Sequence, residues 1–476
     1  MKLFSNKKEL SGDRAITEGV IWKQLLLFFF PILFGTFFQQ LYNTVDAIVV
    51  GKYVGKEALA AVGGSTGNMI NLIVGFFVGL ASGATVIIAQ FYGARNGRDV
   101  SRTVHTAIAL CIAAGAIMTV FGYIFTPQLL ALMDTPTDVM PYAIDYMRIY
   151  FLGMIPSLIY NIGSGILRAV GDSKRPLLFL IAACLINIVL DVLFVMGLDM
   201  DVIGAALATV LSQLISAILV LITLARSRKE YRLEFKKIRF HRDIFSSIIR
   251  IGLPAGLRSV MYSISNVIIQ TSINGFGTDI LAGWTAYGKM DGLFWMTINA
   301  FGIAITTFVG QNFGAGKFDR MRKSIRTCFV MTTVATLVMS AVVYLLSDPL
   351  LHMFSDEEQV IEWGKVIVKA IVPTYFTYIC IELFSGALQG AGDTLVPTII
   401  TLTGICLFRT VWVLWYVPAH HELEILLASY PITWVISSIL FTIYYFKGNW
   451  FGRCLKKAGI APPENGWRSP RKHAKA

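Results

Sequence analysis

Arg226–Arg242, RSRKEYRLEFKKIRFHR, is the longest charged run in the chain and the only one near its middle. When the residues before it are laid on those after it at an offset of 221 or 222, several sets of punctuating residues fall into register. Tyr92-Gly93-Ala94-Arg95 falls on Phe313-Gly314-Ala315-Gly316, and Gln90 falls on Gln311. Gly165-Ile166-Leu167-Arg168, Gly171-Asp172-Ser173 and Pro176 fall on Gly386-Ala387-Leu388-Gln389, Gly392-Asp393-Thr394 and Pro397. Val54-Gly55 and Leu59-Ala60 fall on Phe276-Gly277 and Leu281-Ala282, one helix earlier in each half. Turn residues repeated at one spacing mark a duplicated architectural unit. The chain therefore reads as a first half, 1–225, a basic linker, 226–243, a second half, 244–450, and a tail, 451–476.

Composition names the solvent. Only 15% of residues are charged and 55% are hydrophobic, where a soluble chain would carry about a quarter charged. Twelve stretches each contain about 19 residues or more in a row with at most two charges, long enough to cross a ~30 Å hydrocarbon core as helices. They lie at about 21–46, 57–90, 104–126, 139–167, 176–197, 203–225, 244–273, 280–312, 326–347, 359–389, 395–417 and 424–446. The expected fold is an all-α polytopic membrane protein, twelve transmembrane helices in two pseudo-symmetric six-helix lobes. The first stretch is too long for a removable signal peptide and lacks a small-residue cleavage site, so it is expected to stay as a helix.

The net charge of +12 does not point to nucleic acid, because the basic residues are sorted by loop and form no face with interleaved aromatics. The side of both termini and the linker holds 33 of the 41 Lys and Arg. The opposite side holds only five, Lys52, Lys56, Arg148, Lys365 and Lys369, and carries acidic runs such as Asp356-Glu357-Glu358. The positive-inside rule makes both termini and the linker cytoplasmic, which an even number of spans requires. The expected location is the cell membrane, multi-pass. The six cysteines are scattered without metal-ligand spacing and read as small packing residues. No HExxH, Walker lysine or nucleophile elbow appears, so neither an enzyme nor a cofactor is expected.

Gly75, Gly79 and Gly83, at four-residue spacing in the uncharged second stretch, make one smooth helix face that a neighbouring backbone can approach. Pro31 and Pro254 sit at nearly corresponding points of the first helix of each half, and interrupted helices in matching positions are a transporter feature.

Ionisable groups in hydrocarbon are costly and are functional candidates by default. Seven occur: Asp46, Asp191, Arg258, Lys289, Asp291, Glu382 and Arg409. Asp46 lies five residues before the outer turn at Gly51, Asp191 six before Gly197, and Thr209 five after Gly204. All three thus lie ~8–9 Å below the outer ends of their helices. Asn187 is one turn below Asp191 on the same face. Two carboxylates, an amide and a hydroxyl at one level can form an oxygen cage for a proton or a small cation such as Na+, although solvated helix ends would account for either aspartate alone. The corresponding second-half residues are Phe408, Trp412 and Tyr430, so the set was not duplicated. Lys289, Asp291, Glu382 and Arg409 are mixed in sign, and read either as a mutually neutralising ion-pair network or as the lining of a cavity.

VDAIVVGKYVG with Asp46, the AQFYGAR and GQNFGAG pair, the RAVGD and QGAGD pair and INIVLD resemble the MATE (multidrug and toxic compound extrusion) transporters, most closely the bacterial branch related to DinF. The resemblance implies two six-helix lobes that alternate between inward- and outward-open forms. It also implies export of small organic cations against an inward flow of H+ or Na+. Asp46, Asn187, Asp191 and Thr209 match the family's first-lobe cation site. The acidic residues that some relatives carry in helices seven and ten are replaced here by Tyr262 or Ser263 and by Tyr378, which moves the expectation toward protons. The remaining partners expected are membrane lipid, with the chain a monomer. The alternative is a flippase for lipid-linked precursors, which would favour a cationic cavity for its phosphates.

The loop asymmetry makes a direct prediction. Cysteines introduced at Lys237 and at Glu357 will label from opposite faces with a membrane-impermeant thiol reagent, and labelling of both from outside would remove the two-half topology.

Overall fold

The computed structural model describes residues 16–420 and 422–460. The expected polar arm ahead of residue 16 and the expected tail beyond residue 460 lie outside the described residues. The described chain is helical throughout. In order come α1 (Ile21–Tyr53), α2 (Lys56–Gly93), α3 (Gly97–Leu132), α4 (the pair Met140–Leu152 and Met154–Ala169), α5 (Lys174–Gly197) and α6 (Asp201–Ala225). After the linker follow α7 (Arg242–Asn274), α8 (Thr278–Gly314), α9 (Phe318–Leu345), α10 (Glu358–Ala391), α11 (Leu395–His420) and α12 (Leu423–Lys447). A short α13 (Trp450–Ala458) closes the described part. Eleven of these are single helices long and apolar enough to cross a membrane, and α4 is the twelfth when its pair counts as one span. Leu345 and Trp415 stand 76% and 77% exposed, as lipid-facing side chains must.

Two spans depart from their expected outlines. α1 does not end near residue 46 but continues to Tyr53, because Val49 and Val50 are buried in the core and carry the helix on. α4 is bent by 52° at Gly153. Pro156, three residues on, has no N–H to donate to the Leu152 carbonyl, so the helix has one bond fewer where it turns. Pro373 marks a like event in α10, where Val372–Tyr378 winds as a tighter 3-10 turn. Pro31 and Pro254, by contrast, lie inside helices that run on through them.

The repeated punctuation has a physical cause. Backbones with positive φ occur at Gly55 and Gly277 (131° and 106°), at Arg95 and Gly316 (56° and 67°), and at Gly171 and Gly392 (both 95°). These are the paired positions of the sequence repeat. Each stops a helix with a left-handed or similarly strained residue, which glycine adopts without a Cβ penalty. The closing bonds repeat as well: Asp172 N–H donates to the Leu167 carbonyl at 2.8 Å, and Asp393 N–H to that of Leu388 at 2.9 Å.

Packing divides the chain into two compact units. Among the described residues, one comprises Leu26–Tyr92 and Asn96–Gln270; the other comprises 16–25, Gly93–Arg95 and 271–460. The body of α7 therefore packs with helices encoded in the first half. The reason is the glycine face of α2. A Cβ on Gly75 would lie 2.5 Å from Ser259 Oγ, and one on Gly79 would lie 2.6 Å from the Gly256 Cα; Gly83 and Gly252 are equally close to backbone across the same seam. The two backbones touch because neither helix has side chains there. In the other unit, the Arg320 guanidinium gathers the residues leading into α1. It donates to the carbonyls of Ile16, Glu18 and Gly19 at 3.1, 2.7 and 2.8 Å and to Gln24 Oε1 at 2.9 Å.

Filling the seam is predicted to be costly. Gly79→Val should destabilise the protein by ~1–3 kcal/mol, the usual range for overpacking, and lower folded yield in a thermal-shift and size-exclusion assay. Gly288→Ala, where nothing lies within 4 Å of the added Cβ, serves as the control and should match the parent.

Candidate functional site

Asp46 of α1, Asn187 and Asp191 of α5 and Thr209 of α6 come together within one compact unit. All four are buried: Asp46 is 4% exposed, Thr209 3%, and Asn187 and Asp191 are fully enclosed. Thr209 Oγ1 donates to Asp46 Oδ2 at 3.1 Å, and Asp46 faces Asp191 and Asn187 directly. Asp46 Oδ1, both Asp191 oxygens and both polar atoms of the Asn187 amide have no hydrogen-bond partner among the described residues. Buried polar atoms are nearly always paired, so this concentration at one spot is unusual.

Local winding helps to place these groups. Asp191 is the last residue of the α-helical part of α5, and Val192–Gly197 continues it as a π-helix, a widening common at functional sites. Two tyrosines not anticipated from the sequence also stand within electrostatic reach of Asp46: Tyr42, one turn back on α1, and Tyr146 of α4. Tyr42 was within reach of sequence reasoning, being four residues before Asp46 on the same face. Tyr146, a hundred residues away, carried no such signal.

The second-half charges are placed differently. Asp291 of α8 accepts hydrogen bonds from Tyr375 Oη at 2.6 Å and from Trp295 Nε1 at 2.8 Å, and Tyr375 meets Tyr287 Oη at 3.0 Å. Arg409 of α11 is 3% exposed; its Nη2 donates to Thr433 Oγ1 at 2.8 Å and its guanidinium lies 4.2 Å from the Tyr430 ring centre. Asp291 and Arg409 thus take neutral and aromatic partners rather than each other. Glu382 of α10 reaches the space that a Cβ on Gly302 of α8 would need, and Lys289 is exposed. Around Asp291 the aromatic rings are continuous: Phe294 stacks on Tyr375 at 3.9 Å, Trp295 meets Tyr378 at 4.8 Å, and Trp434 packs against Tyr430 at 5.6 Å. Asp291 and Arg409 thus stand as one carboxylate and one guanidinium in an aromatic setting. Among the described residues no cluster of three His, Cys, Asp or Glu has the arrangement to hold a metal ion.

Twelve apolar spans from a duplicated unit, with a buried carboxylate pair in one repeat only, define a membrane transport protein of the two-repeat kind. The family model described as MatE matches the chain twice, over residues 31–193 and 254–415, and the chain belongs to that family, the MATE transporters. It is 28% identical over 89% of its length to the probable multidrug resistance protein YoeA of Bacillus subtilis, covering 93% of that protein. It is 27% identical to the probable multidrug resistance protein NorM of Thermotoga maritima, over 81% of this chain and 83% of that protein. Its fold superposes on a MATE crystal structure in the straight conformation with a TM-score of 0.85 at 22% identity, covering 94% of this chain and 99% of that one.

The setting of Asp291 yields a stability prediction. Tyr375→Phe removes the 2.6 Å bond to the carboxylate and the link to Tyr287, and should cost ~1–3 kcal/mol, read as a lowered unfolding temperature. Thr285→Val, which removes an exposed hydroxyl bonded only to the Leu281 carbonyl, should stay within about 0.5 kcal/mol of the parent.

Proposed function

We propose that this chain is a secondary active multidrug exporter that exchanges small organic cations for inward-moving protons by alternating access, with Asp46, Asn187, Asp191 and Thr209 as the coupling site. The observation that carries the proposal is the pair of buried carboxylates, Asp46 and Asp191, with no basic side chain bonded to either and with Asp191 Oδ1 and Oδ2 both unpartnered. Two like charges ~4 Å apart repel by ~4 kcal/mol even at an effective dielectric of ~20. A shared proton or a bound monovalent cation relieves that repulsion, and a conformation that encloses the site is favoured when it is filled. A lipophilic cation that draws on the same negative charge competes with the proton. Mutually exclusive occupancy then couples uphill export to downhill proton entry.

Support for the substrate class comes from the relatives, several of which are named multidrug resistance or multidrug export proteins. Protons are preferred over Na+ because the second unit offers Tyr378 packed on Trp295 where some relatives carry an acid. The same reading makes the chain a monomer of the cell membrane with both termini and the linker in the cytoplasm. The aromatic surroundings of Asp291 suit a cavity wall, since flat rings beside a carboxylate attract organic cations through their faces.

Purified protein in liposomes tests the mechanism. Drug export should run on a pH gradient, cytoplasmic side alkaline, with no sodium present, and should fall at least tenfold in Asp46→Asn and in Asp191→Asn. Transport that needs sodium and ignores the pH gradient would exclude the proton assignment. Full activity in both variants would exclude the site.

A further inference from the structure

The linker between α6 and α7 is not a free tether. Tyr231 and Leu233 are buried, 5% and 2% exposed, against the same core as Val100, Val104 and Ile108 of α3, and Leu233 N–H donates to the Leu224 carbonyl at 3.1 Å. Two histidines then fasten the linker to α3. His105 of α3, 1% exposed, has Nδ1 2.6 Å from the Ser101 carbonyl oxygen and Nε2 3.0 Å from the backbone nitrogen of Glu234. A carbonyl can only accept and a backbone N–H can only donate, so His105 must be neutral with its proton on Nδ1.

His241 at the far end of the linker has the same constraint. Its Nε2 lies 3.2 Å from Arg239 Nε, which always donates, so Nδ1 carries the proton and donates to Thr106 Oγ1 at 3.0 Å. Thr106, fully buried, also accepts from the His241 backbone N–H at 3.3 Å and gives its own hydrogen to the Arg239 carbonyl at 3.4 Å. Each ring spends its single acceptor nitrogen on a linker donor. Protonating either one would set N–H against N–H.

We propose that this linker is a pH-sensitive strap, held on α3 by two neutral histidines and released when the compartment on the linker's side acidifies. The charged groups facing the two rings are Asp99 and Arg102 of α3, Glu234 and Arg239 of the linker, and Asp243 at the start of α7. Burial, then Arg102 and Arg239, hold the His241 imidazole below its ordinary value, against a weaker opposite pull from Asp243. Lys237 holds the Glu234 carboxyl below its own ordinary range, and, against the opposite effect of burial, backbone hydrogen bonds together with Arg102 hold that of Asp243 below its own. A charge clamp is therefore kept throughout: Arg102 pairs with Asp99 at 2.9 Å and with Asp243 at 2.8 Å. The strap stays pinned at its α7 end and opens along its middle.

The sign follows from linkage. The docked His241 imidazole is held below its ordinary value, so its contribution to docking is fully present above the free histidine value of ~6.5 and is lost as pH falls below it. If the proposed proton entry is correct, this is the side on which protons are delivered, but the device does not depend on that reading.

Hydrogen exchange by mass spectrometry on the full chain in lipid nanodiscs tests it, with rates corrected for the intrinsic pH dependence of amide exchange. Protection of amides in residues 229–241 should fall about tenfold or more between pH 7.5 and 5.5, while that of residues 104–111 in α3 stays unchanged. The double variant His105→Gln, His241→Gln keeps acceptors that do not titrate, and its linker protection should be flat over the same range. The wild type decides alone if that variant fails to fold. Linker protection that is flat with pH in the wild type, a parallel loss in α3, or an unchanged pH response in the folded double variant would each overturn the proposal.

Discussion

Two carboxylates buried side by side without a basic partner are the constraint to which the proposed mechanism answers. Removing Asp46 and Asp191 from water is unfavourable, and the protein provides one hydroxyl bond, from Thr209, toward relieving it. A core with a purely structural role would satisfy such a pair fully or replace it with apolar residues. Here the deficit is held in place by packed helices: α5 and α6 lie against each other at the site, and the π-helical end of α5 begins at the residue after Asp191. A site that is incomplete by itself is suited to binding something small and positive, then releasing it.

The second half shows how a duplicated backbone can keep its form while losing its chemistry. The position corresponding to Asp191 is Trp412, and there too a π-helical stretch begins, Trp412–Tyr416. The side chain instead donates its indole N–H to the Ile425 carbonyl at 2.9 Å. Tyr430, in place of Thr209, covers the Arg409 guanidinium. Winding was retained in both copies, while charge became negative in one and positive in the other. One carboxylate that the second half does possess, Asp291, is hydrogen-bonded by aromatic donors, a very different state from the unpaired oxygens of Asp191.

Much of this was legible in the chain because membranes simplify the code. Length and apolarity mark each span, positive-φ glycines mark the turns, and a lone carboxylate in an apolar segment cannot hide. The gathering of Asp46, Asn187, Asp191 and Thr209 followed from depth and helical phase alone. What failed to show was contact between distant elements. Nothing local tells that Asp291 prefers Tyr375 and Trp295 to Arg409, since sequence gives the sign of a charge and not its partner. The break at Gly153 was likewise missed because Pro156 reads as an ordinary turn of an apolar segment. The linker, expected as a basic cytoplasmic run, holds Tyr231 and Leu233 buried, two apolar residues among many charges.

The glycine seam between α2 and α7 bears on where the molecule can flex. With backbones in contact at Gly79 and Gly256, α7 is keyed to its neighbours and cannot slide or rotate by itself. The basic linker, which divides the repeats in sequence, consequently joins parts of a single compact unit and is no mechanical joint. The chain passes from one unit to the other near Leu25, around Gly93–Arg95, and at Gln270. Just beyond the last of these crossings come Gly275 and Gly277, the latter at a φ of 106°. The junction between the sequence repeats and the points where the chain changes compact unit are therefore different places.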